Sequence, residues 1–213
     1  MEEGSNMNDD YNDYFDEQEE ADKYLDAGAA AYRDGDYRIA KELYEKALDL
    51  GSVQAACNLG YIYAYGRTGE QDDEKAFYYF NLAAADGNPN GLYKVGDAYY
   101  WGNFVSKNPK LAFKYYRNAE MALDDGDDDL KSDIYYRLAL CLFNGVGIEA
   151  TPLLALSYID QAHTYSYIDR FTRKFAWESL ADKIEKLRKE IILELDREYK
   201  EFMEHPIIEE DEY

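Results

Sequence analysis

The sequence predicts an all-α fold: a solenoid of about four antiparallel helix pairs, closed by a long C-terminal helix. Three observations predict it. Over residues 21–51, small residues (Ala27, Gly28, Ala31, Ala40, Ala47) alternate with large ones (Tyr24, Leu25, Tyr32, Tyr37, Leu43, Tyr44, Leu48) at helical spacing, so two antiparallel helices can approach closely and interlock. The pattern then returns, with packing positions Gly28, Gly60, Gly96 and Ala139 separated by 32, 36 and 43 residues. These intervals straddle the length of a helix-pair repeat, and a single pair is too short to bury its own apolar face. Finally, Phe171, Phe175, Leu180, Ile184, Leu187, Ile191, Leu195, Tyr199 and Phe202 recur at threes and fours, save one step of five, with no Gly or Pro between them, the mark of one long amphipathic helix.

Taken in order, residues 1–20 form a dense acidic run with no helical apolar stripe and are expected to be a disordered tail. Residues 21–167 carry the repeats. The first, 21–51, turns at Arg33-Asp34-Gly35-Asp36. The second, 52–87, holds Ala56, Leu59, Gly60 and Tyr63 on one helix and Ala76, Phe77, Phe80, Leu82, Ala83 and Ala84 on the other, with Asp72 or Asp73 available as a cap. The third, from Asn88 to about Gly126, starts both helices with a capping residue before proline, Asn88-Pro89 and Asn108-Pro109. Proline is tolerated at the first helical position because that N–H has no intrahelical partner. The fourth, to about Tyr167, repeats this start at Thr151-Pro152 and has Ala139 in place of the packing glycine. The long helix occupies 168–205, would be roughly 50 Å long at its expected rise, and stops before Pro206. It serves either as the polar-faced cap a solenoid needs or as a dimer seam. Residues 206–213 are a second acidic tail.

Tyr24, Gly28, Gly35-Asp36-Tyr37, Ala40, Tyr44, Lys46-Ala47-Leu48 and Leu50 make the first unit resemble the tetratricopeptide repeat. The units that follow resemble its Sel-one-like variant, with the longer loops Gly66-Arg67-Thr68-Gly69, Gly102-Asn103-Phe104-Val105 and Gly145-Val146-Gly147-Ile148. Phe104 stands where that loop usually has its second glycine. The resemblance implies a right-handed superhelix that acts as a scaffold for other proteins. It also implies that the first helix of each repeat lines the concave face. Counted from the packing glycine, the positions lining that face are Asp22, Leu25, Asp26, Ala29, Tyr32 and Arg33 in the first repeat, and Gln54, Asn58, Tyr61 and Tyr65 in the second. In the third they are Asn90, Tyr93, Lys94, Asp97, Tyr100 and Trp101, and in the fourth Asp133, Tyr136, Arg137 and Asn144. Tyr, Trp, Asn and Arg suit interface contacts. Asn58, Asn90 and Lys94 can hold a peptide backbone or carboxylate while the rings grip side chains; the plainer reading is that several of these tyrosines pack against neighbouring helices.

Composition narrows the function classes. The chain has 213 residues and a formal charge of -22, from 45 acidic and 23 basic side chains. Such a surface repels phosphate backbones and anionic lipid, so neither nucleic acid nor membrane is an expected partner. It keeps the protein soluble, and it can attract a basic partner. The 23 tyrosines suit both solenoid cores and contact surfaces. Cys57 and Cys141 sit inside helical patterns and read as reduced, buried residues rather than a disulfide. With no basic, apolar leader and no apolar run of membrane-spanning length, a cytoplasmic location is expected.

An enzyme is not expected. His163 and His205 belong to no ligand cluster or triad-like set, and no phosphate-cradling glycine loop occurs, so no cofactor is assigned. The run Asp124-Asp125-Gly126-Asp127-Asp128-Asp129 lacks the spacing of a helix-loop-helix calcium site and reads as a solvated loop. The leading expectation is a non-catalytic adaptor or scaffold that binds a protein or peptide through Asn58, Tyr61, Tyr65, Asn90, Tyr93, Lys94, Asp97, Tyr100, Trp101, Tyr136 and Arg137. The alternatives are a structural spacer that self-associates through the C-terminal helix, and a cryptic metal-dependent enzyme; the chain is expected to be a monomer or a dimer through that helix.

Overall fold

A computed structural model of the chain describes residues 7–204. Among them are nine helices and no strand: α1 (Met7–Asp34), α2 (Tyr37–Asp49), α3 (Val53–Ala64), α4 (Asp73–Ala85), α5 (Pro89–Trp101), α6 (Pro109–Met121), α7 (Asp128–Asn144), α8 (Pro152–Thr172) and α9 (Trp177–Glu204). They form two compact units that divide between Lys107 and Asn108, inside the third repeat.

In the first unit, α1 packs on α2, α3 on α2 and α4, and α5 on α4. Its core joins Ala40, Tyr44 and Ala47 of α2 to Ala55, Leu59 and Ile62 of α3. The packing glycines act as the spacing requires. A Cβ on Gly28 would stand 2.6 Å from the Tyr44 ring, and one on Gly60 2.6 Å from the Phe80 ring. Gly91 brings α5 closer still, because its missing Cβ would meet the Ala84 nitrogen at 2.7 Å.

Helix starts follow the residues read as caps in three of four cases. The Asp72, Asn88 and Asn108 side chains accept from Lys75, Gly91 and Leu111 N–H groups at 2.9, 3.0 and 3.1 Å. Pro89, Pro109 and Pro152 all open their helices. Thr151 is the exception: its hydroxyl donates to the Glu149 carbonyl at 3.3 Å and caps nothing. Asn88 does more than cap. Its Oδ1 also accepts from the Cys57 thiol at 3.2 Å, and its Nδ2 donates to Gln54 Oε1 at 3.2 Å. Asn88→Ala is therefore expected to destabilise the first unit by about 1.5 kcal/mol, above an exposed cap, measured as a shift in the urea midpoint.

The loops after α5 and α7 turn on left-handed residues. Gly102 (φ 81), Gly145 (φ 67) and Gly147 (φ 76) adopt that conformation freely. Phe104, in the glycine's usual place, is held there too, at φ 62, with its ring 5.7 Å from that of Phe77.

The two ends depart from expectation. Where residues 1–20 are expected to be disordered, α1 is helical from Met7; residues 1–6 lie outside the described residues. Pairs one turn apart run along its exposed side: Glu19 with Lys23 at 2.8 Å, and the Tyr24 hydroxyl donating to Glu20 at 3.2 Å. Extending a helix already nucleated by packing adds one hydrogen bond per residue fixed, so weak pairs of this kind suffice. At the other end the helix expected over 168–205 is broken. Phe171 belongs to α8, Arg173–Ala176 form a turn, and α9 begins at Trp177. His205 and the acidic tail 206–213 lie outside the described residues.

In the second unit, α9 lays Ile184, Leu187 and Ile191 against Ala155, Ile159 and Ala162 of α8 and Ala139 and Leu142 of α7. That is the capping role: the face that would have made a dimer seam is occupied within the unit. Arg188 donates to Asp160 at 2.6 Å, and His163 Nε2 meets Glu185 at 2.8 Å, both joining α8 to α9. On the other side of α8, the Tyr158 hydroxyl donates to Glu120 of α6 at 2.9 Å and accepts from Arg117 at 2.6 Å.

Candidate functional site

The expected contact residues of the second and third repeats come together on α3 and α5. One helical turn separates Asn58, Tyr61 and the capping Tyr65 at the end of α3, and Asn90, Tyr93 or Lys94, and Asp97 along α5, so each set projects from one side of its helix. The Tyr61 hydroxyl lies 2.7 Å from Asn90 Oδ1, to which it donates, and 2.8 Å from the Tyr93 hydroxyl. The Lys94 ammonium sits over both rings, 4.9 Å from the Tyr61 centroid and 4.8 Å from that of Tyr93. Asn58 accepts from Gln54 at 3.3 Å, and Gln54 in turn accepts from Asn88. The Tyr61 ring stacks on Tyr65 at 5.9 Å and meets Phe80 edge-on at 5.2 Å. The result is a continuous polar and aromatic surface whose side chains are held by one another.

Exposure divides the set. Tyr65 (47%) and Trp101 (54%) are open to solvent, with Tyr100 edge-on to Trp101 at 4.6 Å. Asn58, Tyr61, Asn90, Lys94, Asp97 and Tyr100 are half-buried. Tyr93 is not the exposed residue expected: it is buried at 3%. Its neighbour Tyr61 shares its hydroxyl and Lys94 covers its ring, so for Tyr93 the plainer packing reading holds. Behind this face, burial pushes the Cys57 thiol up to about 12, so it stays a neutral donor to Asn88. Cys141 is likewise buried and in no disulfide.

Tyr136 and Arg137, the remaining expected residues, lie on α7 in the other unit. Arg137 donates to Asp133 Oδ1 at 2.9 Å, so its guanidinium already has a carboxylate partner there.

Two clusters escaped the sequence reading. Arg67, in the loop after α3, lies 5.7, 5.1 and 5.3 Å from the ring centroids of Tyr32, Tyr37 and Tyr65, and its Nε donates to the Tyr32 hydroxyl at 3.1 Å. It lines a cleft with residues 35–39 and Thr68. A lone cation in a glycine loop has no periodicity to betray it. The second cluster surrounds Asp169, whose carboxylate is 1% exposed. Ser132 donates to it, and Lys174 Nζ stands 3.5 Å from its other oxygen, 2.6 Å from Asp133 Oδ2 and in contact with the Asp129 carbonyl. Burial holds the Asp169 carboxyl above the usual carboxylate range, with Ser132 and Lys174 working against that rise. Among the described residues, no group of three or more His, Cys, Asp or Glu side chains is placed to hold a metal ion. Nor is any helix there long and apolar enough to cross a membrane.

Comparison with known proteins gives the arrangement its family. Sel1 repeats match residues 26–52, 53–88, 89–122 and 132–162, more than half of the chain. The chain belongs to the Sel1 repeat family. The four matches follow the four repeats read from the spacing of the packing residues. Human protein sel-1 homolog 2 is 35% identical over 78 residues, which span 37% of this chain and 11% of that protein. A Sel1 repeat protein from Oxalobacter formigenes superposes with a TM-score of 0.51 at 25% identity, over 61% of this chain and 51% of the other. A protective antigen of uropathogenic Escherichia coli with an SLR fold superposes with a TM-score of 0.50 at 23% identity, over 80% of this chain and 36% of the antigen. The chain thus spans about half or less of the length of each of these relatives. Sel1 repeat proteins typically mediate protein–protein interaction and are generally non-enzymatic scaffolds.

Proposed function

We propose that this chain is a non-catalytic adaptor that holds a protein or peptide segment against the face formed by α3 and α5. The observation that carries the reading is the surface of Tyr61, Asn90 and Lys94, held from beneath by buried Tyr93 and rimmed by exposed Tyr65 and Trp101. Side chains fixed in advance lose little freedom on binding. The Asn58 and Asn90 amides can exchange their present bonds for those of an extended backbone, while the rings take up side chains. The formal charge of -22 favours a basic segment over an acidic one. Asp97, one turn beyond Tyr93, and Tyr100 extend the surface toward Trp101. A cytoplasmic location accords with this reading.

The test is a pull-down from the source organism's lysate with the wild-type chain beside a Tyr61→Ala, Tyr65→Ala, Tyr100→Ala, Trp101→Ala variant. Loss of aromatic anchors at an interface centre costs about 2 kcal/mol or more each, so retention of the true partner is expected to fall at least about 100-fold while far-ultraviolet circular dichroism is unchanged. A partner retained equally by both chains places the working surface elsewhere.

A further inference from the structure

The turn between α8 and α9 sits where nothing in the local sequence asks for one. Arg173, Lys174, Phe175 and Ala176 include neither Gly nor Pro, and their neighbours are helical on both sides. Two of the four, Arg173 (φ 55) and Ala176 (φ 59), are held in the left-handed region, where a Cβ crowds the backbone. A helical conformation at all four would remove that crowding and join α8 to α9.

The joined helix would be a regular one. Ile159, Ala162 and Ser166 of α8 are buried, and so are Ile184, Leu187 and Ile191 of α9, each 25 residues after its counterpart. Seven turns of α-helix take about 25 residues. The buried stripes of the two helices would therefore run on along one face without a break. Phe171 and Phe175, 86% and 71% exposed beside the turn, would stand one turn apart on the opposite face.

We infer that α9 can leave its own α8 and dock on the same surface of a second copy of this chain, with Arg173–Ala176 as the hinge of a domain-swapped dimer. The occupant is set by complementarity already present: the surface on α7 and α8 that accepts Ile184, Leu187 and Ile191 is identical in the other copy. A short hinge under strain favours such exchange. The two hinges would cross near Phe171 and Phe175, giving those exposed rings a surface to cover. Lys174 opposes opening, because its ammonium bridges Asp133 and Asp169 in the closed turn. This inference concerns the second unit and does not depend on the partner surface proposed for the first.

The test is light scattering on the full chain, refolded at high concentration in enough salt to screen the charge of -22 on each copy. Arg173→Gly and Ala176→Gly each ease the closed turn and disfavour the open helix. Each is expected to lower the dimer-to-monomer ratio by about fivefold or more without loss of folding. Lys174→Met is expected to raise it. A swapped dimer must release α9 to dissociate, so differently tagged dimers should exchange subunits slowly. A chain that remains monomeric after such refolding overturns the inference. So does a dimer whose share ignores both glycine substitutions, or one that exchanges subunits at once.

Discussion

Gly147→Ala is expected to destabilise the second unit by about 3 kcal/mol, from a left-handed backbone and an unavoidable overlap together. Gly147 lies in the α7–α8 loop at φ 76, and a Cβ there would run into the Pro109 carbonyl at the start of α6. The obstacle is backbone, so no rotamer change can relieve it. Gly145 in the same loop is a built-in control. It has φ 67 but its nearest obstacle to a Cβ is 3.6 Å away, so Gly145→Ala should cost only about 1 kcal/mol. Urea denaturation of the two variants measures the difference; equal midpoints would mean the loop can step away from α6.

Lys174→Met should cost about 3 kcal/mol at neutral pH, because it leaves the buried Asp169 carboxylate without its cation and leaves Asp133 with Arg137. Asp169 is buried almost completely, Asp133 is 16% exposed as a side chain, and Lys174 is 21% exposed, so solvent cannot replace the ammonium cheaply. The pH dependence follows from the direction of the Asp169 shift. A carboxyl whose native pKa is raised binds protons more readily folded than unfolded. Its contribution to stability is therefore full below the ordinary aspartate range and is lost as pH rises through the higher native value. Removing Lys174 takes away an opposing charge and widens that window. The deficit of the variant should accordingly shrink on acidification, and thermal unfolding across a pH series would show it; a deficit constant with pH would mean that Asp133, not Asp169, bears the loss.

The repeats were legible because their signals are local. Small residues at fixed spacing, proline at first helical positions and glycine at loop turns each encode geometry within a few residues, and Gly28, Gly60, Asn88 and Asn108 sit as that reading requires. Which side of α3 and of α5 the expected contact residues share was legible for the same reason, since counting from Gly60 and Gly96 fixes it. Tyr93 was misread because burial depends on what neighbouring helices bring up to it. The α8–α9 turn was invisible for a related cause. Residues 170–177 carry no Gly or Pro to mark a break, and the contacts that hold the turn join Lys174 to Asp129, Asp133 and Asp169 on α7 and α8, some forty residues earlier for the first two. The helix before Ala21 was missed because a high density of acids reads as disorder when the neighbouring packed helix is ignored.

Asn88 carries one more consequence. Its side chain starts α5 while gripping Gln54 and Cys57 of α3. A helix whose first turn is signed off by the preceding repeat cannot persist once that repeat has melted. Along a linear array, such shared starts turn neighbours that could fray one by one into a block that melts together. The same amide that begins α5 thus sets how far a local breach in the first unit can spread before it becomes loss of the whole block.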